Sequence, residues 1–197
     1  MVSSLARQDV SPVVAQSDVR RYAYADPPYP GLARYYREHA DYDGEVDHRE
    51  LISRLVRTFD GWALSTSADA LPAVLAMCPG DVSVAAWFRG PRPTFSESPL
   101  SSWEPVVYRG ARRVSTAWSM RRLDSLVYVA RPRLTDRQRV VGSKPAAFFA
   151  WLFTLLGLLP DDELEDVFPG SGRLLLSWQT YRLEQRRESV VQGSLQL

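Results

Sequence analysis

Arg21-Tyr22-Ala23-Tyr24-Ala25-Asp26-Pro27-Pro28-Tyr29 reads as a short strand that stops on an acid and two prolines. Proline has no N–H to give to a ladder, so pairing ends there. In open α/β sheets, ligands sit outside the carboxyl ends of strands, and Asp26 stands at such an end. The residue types suit one chemistry. An exocyclic amine on an aromatic ring is a poor nucleophile because its lone pair is delocalised. A carboxylate and a backbone carbonyl are both acceptors, and together they can hold its two N–H groups and favour a tetrahedral nitrogen. Asp26 and the Pro27 carbonyl fit these roles, with Pro27 and Pro28 fixing φ and so presetting the carbonyl. Tyr29 offers a flat face for a base taken out of its stack. The competing reading is a turn that merely ends a strand, and the tetrapeptide alone leaves the two balanced.

Working outward, a second stretch has a nucleotide-binding shape: Asp166-Val167-Phe168-Pro169-Gly170-Ser171-Gly172, a strand feeding a glycine turn and then a helix. Gly170 and Gly172 let backbone approach a ligand closely. The free N–H groups of the helix start suit a carboxylate such as that of an amino acid. Many ligand-free strand–helix turns carry two glycines as well. Between the two lies Gly142-Ser143-Lys144-Pro145, ahead of an apolar helix. On local grounds it reads first as a helix start, with Ser143 as cap and Pro145 in the first turn.

The remaining elements follow from periodicity. A helix is expected from Asp47, which can cap it with Glu50 three residues on, and Leu51, Ile52, Leu55, Val56 and Phe59 form its apolar side. Strands are expected at residues 61–65, 82–88, 105–108, 126–130 and 164–168. Helices are expected at 68–77, 144–159 and 173–187, and Val190-Val191 is a candidate edge strand. The 144–159 segment is apolar nearly all round, so it should be buried under the sheet, with a dimer surface as the alternative. Strands alternating with helices mean an α/β sandwich with a mostly parallel sheet. Residues 1–19 are expected to be a loose arm, and 20–197 a single domain.

The 197 residues can bury a full core. Net charge is only +1, so any polyanion must be met by a local patch. The stretch 109–141 supplies one, with Arg109, Arg112, Arg113, Arg121 and Arg122 as candidate phosphate contacts; a solvated loop is the alternative. Lys144 is the only lysine among 24 basic residues. Cys78 is the lone cysteine, and no Cys/His cluster has zinc spacing, so no metal is expected. Two histidines, His39 and His48, argue against a histidine-based triad. The first residues are too polar for a signal peptide, and no segment spans a membrane easily; the cytoplasm is the expected location.

The order of the three stretches resembles the beta-type, circularly permuted family of adenine-N6 and cytosine-N4 DNA methyltransferases. There an Asp-Pro-Pro-Tyr motif comes first, and a Lys-Pro helix and an Asp-x-Phe-x-Gly-x-Gly motif come near the C-terminus. The matching residues are Asp26, Pro27, Pro28 and Tyr29, then Lys144-Pro145, then Asp166, Phe168, Gly170 and Gly172. Ala25 to Tyr29 and Trp103-Glu104-Pro105 are also similar to the MT-A70 group of RNA and DNA adenine methyltransferases.

The resemblance implies a Rossmann-like S-adenosylmethionine-dependent methyltransferase sandwich of seven strands, with circularly permuted motif order and an abbreviated C-terminal part. In the family a second strand, an acidic residue for the ribose and a third strand follow the glycine motif, whereas 25 residues follow Gly172 here. It implies S-adenosylmethionine as cofactor, bound by Lys144, Asp166, Phe168, Gly170 and Gly172. Asp26, Pro27, Pro28 and Tyr29 would be catalytic, with direct in-line transfer to N6 of adenine in DNA, as in a phage or bacterial modification enzyme. The alternatives are an RNA adenine-N6 methyltransferase and a catalytically degenerate nucleic-acid-binding subunit, with a homodimer or partner subunit completing the site.

Overall fold

The computed structural model describes residues 19–29, 44–91, 97, 99–113, 122–129 and 144–194. Among them six strands and four helices follow in the order β1 (Arg21–Ala25), α1 (His48–Thr58), β2 (Gly61–Ser65), α2 (Leu71–Leu75), β3 (Ser83–Phe88), β4 (Trp103–Arg109), β5 (Ser125–Val127), α3 (Ala146–Leu156), β6 (Glu163–Asp166) and α4 (Arg173–Ser194). The strands form one sheet in the order β5-β3-β4-β2-β1-β6.

Side chains alternate across a strand, and in β1 this sorts the layers. Tyr22 and Tyr24 face α3 and α4, together with Ala63, Trp87 and Val106. Ala23 and Ala25 face the α1 side, together with Trp62, Leu64 and Val107. The apolar segment before residue 159 is α3, and it lies under the sheet as expected. Phe148, Phe149, Leu152, Phe153, Leu155 and Leu156 are buried there. Asp47 caps α1 by accepting from the Arg49 and Glu50 N–H groups at 2.9 and 3.0 Å. Glu50 does not close the reciprocal box; it pairs with Arg57 at 2.9 Å.

β1 runs parallel to β2 and to β6, and β3 parallel to β5, while β4 runs antiparallel to both its neighbours. The sheet is thus mixed, with β4 as the reversed strand. Among the described residues no helix lies between β3 and β4, and a direct return makes strands antiparallel, whereas a parallel pair needs a crossover. The reversal matters for the site. It delivers the first residues of β4 to the edge where β1, β2 and β6 end: Thr66 N–H donates to Pro105 O at 3.1 Å.

Val190-Val191, a candidate edge strand by sequence, lies inside α4. Helical hydrogen bonds run on from Arg173, so β6 is an edge of the sheet among the described residues. Pro145 is the N-cap of α3, one place before the first turn. Ser143 and the 1–18 arm fall outside the described residues. No helix among those described is long and apolar enough to cross a membrane.

One glycine after β4 is obligatory. Gly110 has φ +72°, and a Cβ there would fall against the Asp60 carbonyl. A left-handed non-glycine residue alone costs roughly 1–2 kcal/mol, and the backbone contact adds to it. Gly110→Ala should therefore lower the urea midpoint by more than that figure implies, whereas Gly80→Ala, with open space around it, should not.

Candidate active site

The carboxyl ends of β1, β2 and β6, with the start of β4, enclose a cluster of buried charge. Asp26 follows β1 directly and keeps 26% of its side chain exposed. Both its oxygens accept from Lys144 Nζ, at 3.0 and 2.8 Å. Lys144, two residues before α3, is 5% exposed. Its ammonium also lies 2.8 Å from Glu104 Oε1 and 5.9 Å from the centre of the Phe148 ring. Glu104, on β4, is itself buried, with Arg89 Nε 4.0 Å from Oε2. Tyr29 closes the group by donating its hydroxyl to Glu104. Behind it, Tyr24 and Ser65 hydroxyls meet at 2.8 Å.

Burial by itself would discharge Lys144, but Asp26 foremost, with Tyr24, Glu104 and Tyr29, holds it protonated well above the ordinary lysine value. Burial lifts the Asp26 carboxyl; Lys144 opposes this and Glu104 adds to it, and the net direction is up. Burial, reinforced by Asp26, Glu104 and the hydrogen bond to Glu104, pushes the Tyr29 hydroxyl well above the ordinary phenol value, against the pull of Lys144. Tyr29 is therefore a neutral hydroxyl with a fixed partner.

The glycine turn lies beside this cluster because β6 pairs with β1. Tyr24 is in register with Asp166, and Val167 N–H donates to Tyr24 O at 2.9 Å. Gly170 and Gly172 take φ of +43° and +69°, and nothing lies within 4 Å of a Cβ placed on Gly172. The turn closes through Gly172 N–H to Pro169 O at 2.7 Å, and α4 starts at the next residue. The Asp166 carboxylate accepts from the Phe168 N–H, yet Oδ1 is buried without a partner. Burial, with Asp26 adding, raises this carboxyl to about 6. Phe168 and Val167 pack partly against the α1-side core.

The structure thus brings Asp26, Pro27, Pro28, Tyr29 and Lys144 together, with Asp166 at the end of the adjoining strand and Phe168, Gly170 and Gly172 in the turn that follows it. Lys144 sits on Asp26, where sequence placed it toward the glycine turn. The arginines are elsewhere. Arg109 pairs with Asp81 at 2.8 Å, in register with the start of β2. Arg112 is 11% exposed and pairs with Asp162 at 2.6 Å, beside Arg20, about 20 Å along the strand direction from Asp26. Arg122 donates to Leu155 O at 3.3 Å, at the far end of α3. Arg113 is exposed after β4, and Arg121 lies outside the described residues. Sequence reading missed the roles of Glu104 and Arg89. A carboxylate heading an otherwise apolar strand was the available signal.

No family model matches the chain, and no curated protein matches it in sequence. Among solved structures, the crystal structure of the M1.HpyAVI–SAM complex is similar, with a TM-score of 0.59 at 14% identity over 83% of this chain and 79% of that one. The likeness shows the fold: this chain has a mixed α/β sandwich similar to that of the M1.HpyAVI–SAM complex.

Proposed function

We propose that the chain transfers a methyl group from S-adenosylmethionine to the N6 amine of adenine in DNA. The observation that carries the reading is the adjacency of two ligand-ready elements at one sheet edge: the Asp26 cluster and the glycine turn after β6. A fold similar to that of a protein solved with SAM supports the choice of donor. The residues fit that group. Gly172 leaves open space, the first N–H groups of α4 suit its carboxylate, and the unpartnered Asp166 oxygen suits its ammonium.

The bound cofactor supplies a sulfonium methyl, already activated for displacement. The chain's own work is positioning and charge. Asp26 and the Pro27 carbonyl accept from the amine and stabilise the positive charge that grows on nitrogen as it attacks. Tyr29, buried on one side and tied by its hydroxyl, presents its ring to the base. Proton release then goes to solvent past the exposed quarter of Asp26.

A second reading, a degenerate nucleic-acid-binding subunit, is favoured by one observation: β6 has no strand beyond it among the described residues. Incubation with S-adenosylmethionine and unmethylated DNA, followed by mass spectrometry of the nucleosides, separates the two. N6-methyladenine supports the enzyme, N4-methylcytosine changes the base, and product on RNA alone changes the substrate. No product on either, from folded protein, selects the second reading.

Asp166 makes cofactor binding pH-dependent. A cationic ligand needs the carboxylate, so affinity should rise about tenfold from pH 5 to pH 7 as a group near 6 loses its proton. Without ligand the sign is reversed. The folded value lies above the ordinary 3.8, so the contribution of Asp166 to stability is full at low pH and is lost as pH rises through about 6. Calorimetric titration with S-adenosylmethionine at three pH values reads the first effect. Asp166→Asn should flatten it, and an unchanged slope in that variant would assign the dependence elsewhere.

A further inference from the structure

We propose that Glu104 is a positioning residue that holds both ends of the Asp26–Tyr29 stretch, Asp26 through Lys144 and Tyr29 directly. The inference rests on the methyl-transfer reading above. A lysine ammonium has three donors and no acceptor. Two are spent on Asp26, and Glu104 Oε1 lies 2.8 Å from the ammonium as its second ion-pair partner, itself buried with no hydrogen bond. The ammonium is thus flanked by two carboxylates although nearly without water. The same carboxylate accepts from Tyr29, and Arg89 lies near its other oxygen. One side chain on β4 thus links the acceptor of the amine to the ring that would meet the base.

Stability alone does not account for the arrangement. Buried ion pairs are often replaceable by apolar residues at no loss, since desolvation offsets the attraction. This set has a use that an apolar cluster lacks. When a substrate amine engages an Asp26 oxygen, Lys144 must yield one of its two bonds there. Glu104 keeps the lysine charged and in place through that exchange, and Tyr29 moves with neither. Asp26 is faced by Lys144 ahead of α3, Glu104 on β4, Tyr24 on β1, Tyr29, and Asp166 on β6. Of these, Lys144 alone is a cation.

The test uses the full chain with Glu104→Gln, Glu104→Asp and Tyr29→Phe. The Gln variant should keep its thermal shift with S-adenosylmethionine and lose 10-fold or more in kcat. Its loss and that of Tyr29→Phe should be non-additive, because the two share one hydrogen bond. Removing a negative neighbour should also move the Asp26 carboxyl titration, followed by carbon-13 NMR, to lower pH. A variant that is only misfolded would not show that shift with a retained cofactor response. Should the Gln variant not fold, Glu104→Asp keeps the charge but is one methylene too short to reach both partners, and the same kcat loss is expected. A kcat within twofold of the parent, or an unmoved Asp26 titration, overturns the proposal. If the parent methylates neither DNA nor RNA, the functional reading fails, and the titration still decides whether Glu104 holds Asp26.

Discussion

An Asp26→Asn variant should keep its fold and its cofactor response while losing about 10²–10³-fold in turnover, the cost of removing one preorganised charge partner from a transition state. The substitution is isosteric, and one oxygen remains to accept from Lys144. What disappears is the charge facing the amine as its nitrogen becomes positive. The amide also brings an N–H into a place built for acceptors, opposite a lysine and an amine that both donate. Lys144 stays paired with Glu104, so the site should not collapse. The measurement is single-turnover methylation of DNA, with the melting shift by S-adenosylmethionine as the binding control. Turnover within threefold of the parent would remove Asp26 from the chemistry and leave the Pro27 carbonyl as the sole acceptor.

Replacement of Asp162 by alanine should destabilise the fold by about 3–5 kcal/mol, the range for breaking a buried ion pair from one side. Asp162 stands at the opposite pole of the sheet from Asp26, with its side chain 1% exposed. One oxygen accepts from Arg112 at 2.6 Å and from the Arg20 N–H at 2.9 Å; the other accepts from the Leu159 N–H at 2.7 Å. It therefore joins the entry to β1, the chain after β4 and the turn ahead of β6. Alanine leaves two backbone donors and a guanidinium without their acceptor. Pairing it with Arg112→Met should recover only part of the loss, because the Arg20 and Leu159 N–H groups remain bare. Urea denaturation reads both variants. A loss below 1 kcal/mol would mean that water or a shifted side chain replaces the carboxylate.

This second prediction bears on how sequence and structure divide the account. Arg112 in the sequence is one of a run of arginines and reads as a phosphate contact. Nothing local reveals that a carboxylate 50 positions away lies against it. The Asp81 carboxylate beside Arg109 and the Leu155 carbonyl beside Arg122 are equally invisible to local reading. Val190-Val191 is β-branched and reads as a strand, but the turns before it continue as helix, and local propensity yields to that continuity. Glu104 looked like one letter of a weak motif, and its importance comes from three partners on three separate segments.

By itself the sequence determined the layers and the sheet edge at which the candidate site lies. Alternation in Arg21–Ala25, the two prolines after Asp26, the capping Asp47 and the glycines after Asp166 act over a few residues, and short-range sterics and hydrogen bonding are enough to specify them. Only the tertiary structure decided which charges meet. Lys144 reaches Asp26 across 118 positions because α3 crosses under the sheet to place β6 beside β1. Glu104 joins them because β4 runs backwards between β2 and β3. Buried charges must find partners wherever the packed chain brings them, and strand order and direction are long-range outcomes of that packing.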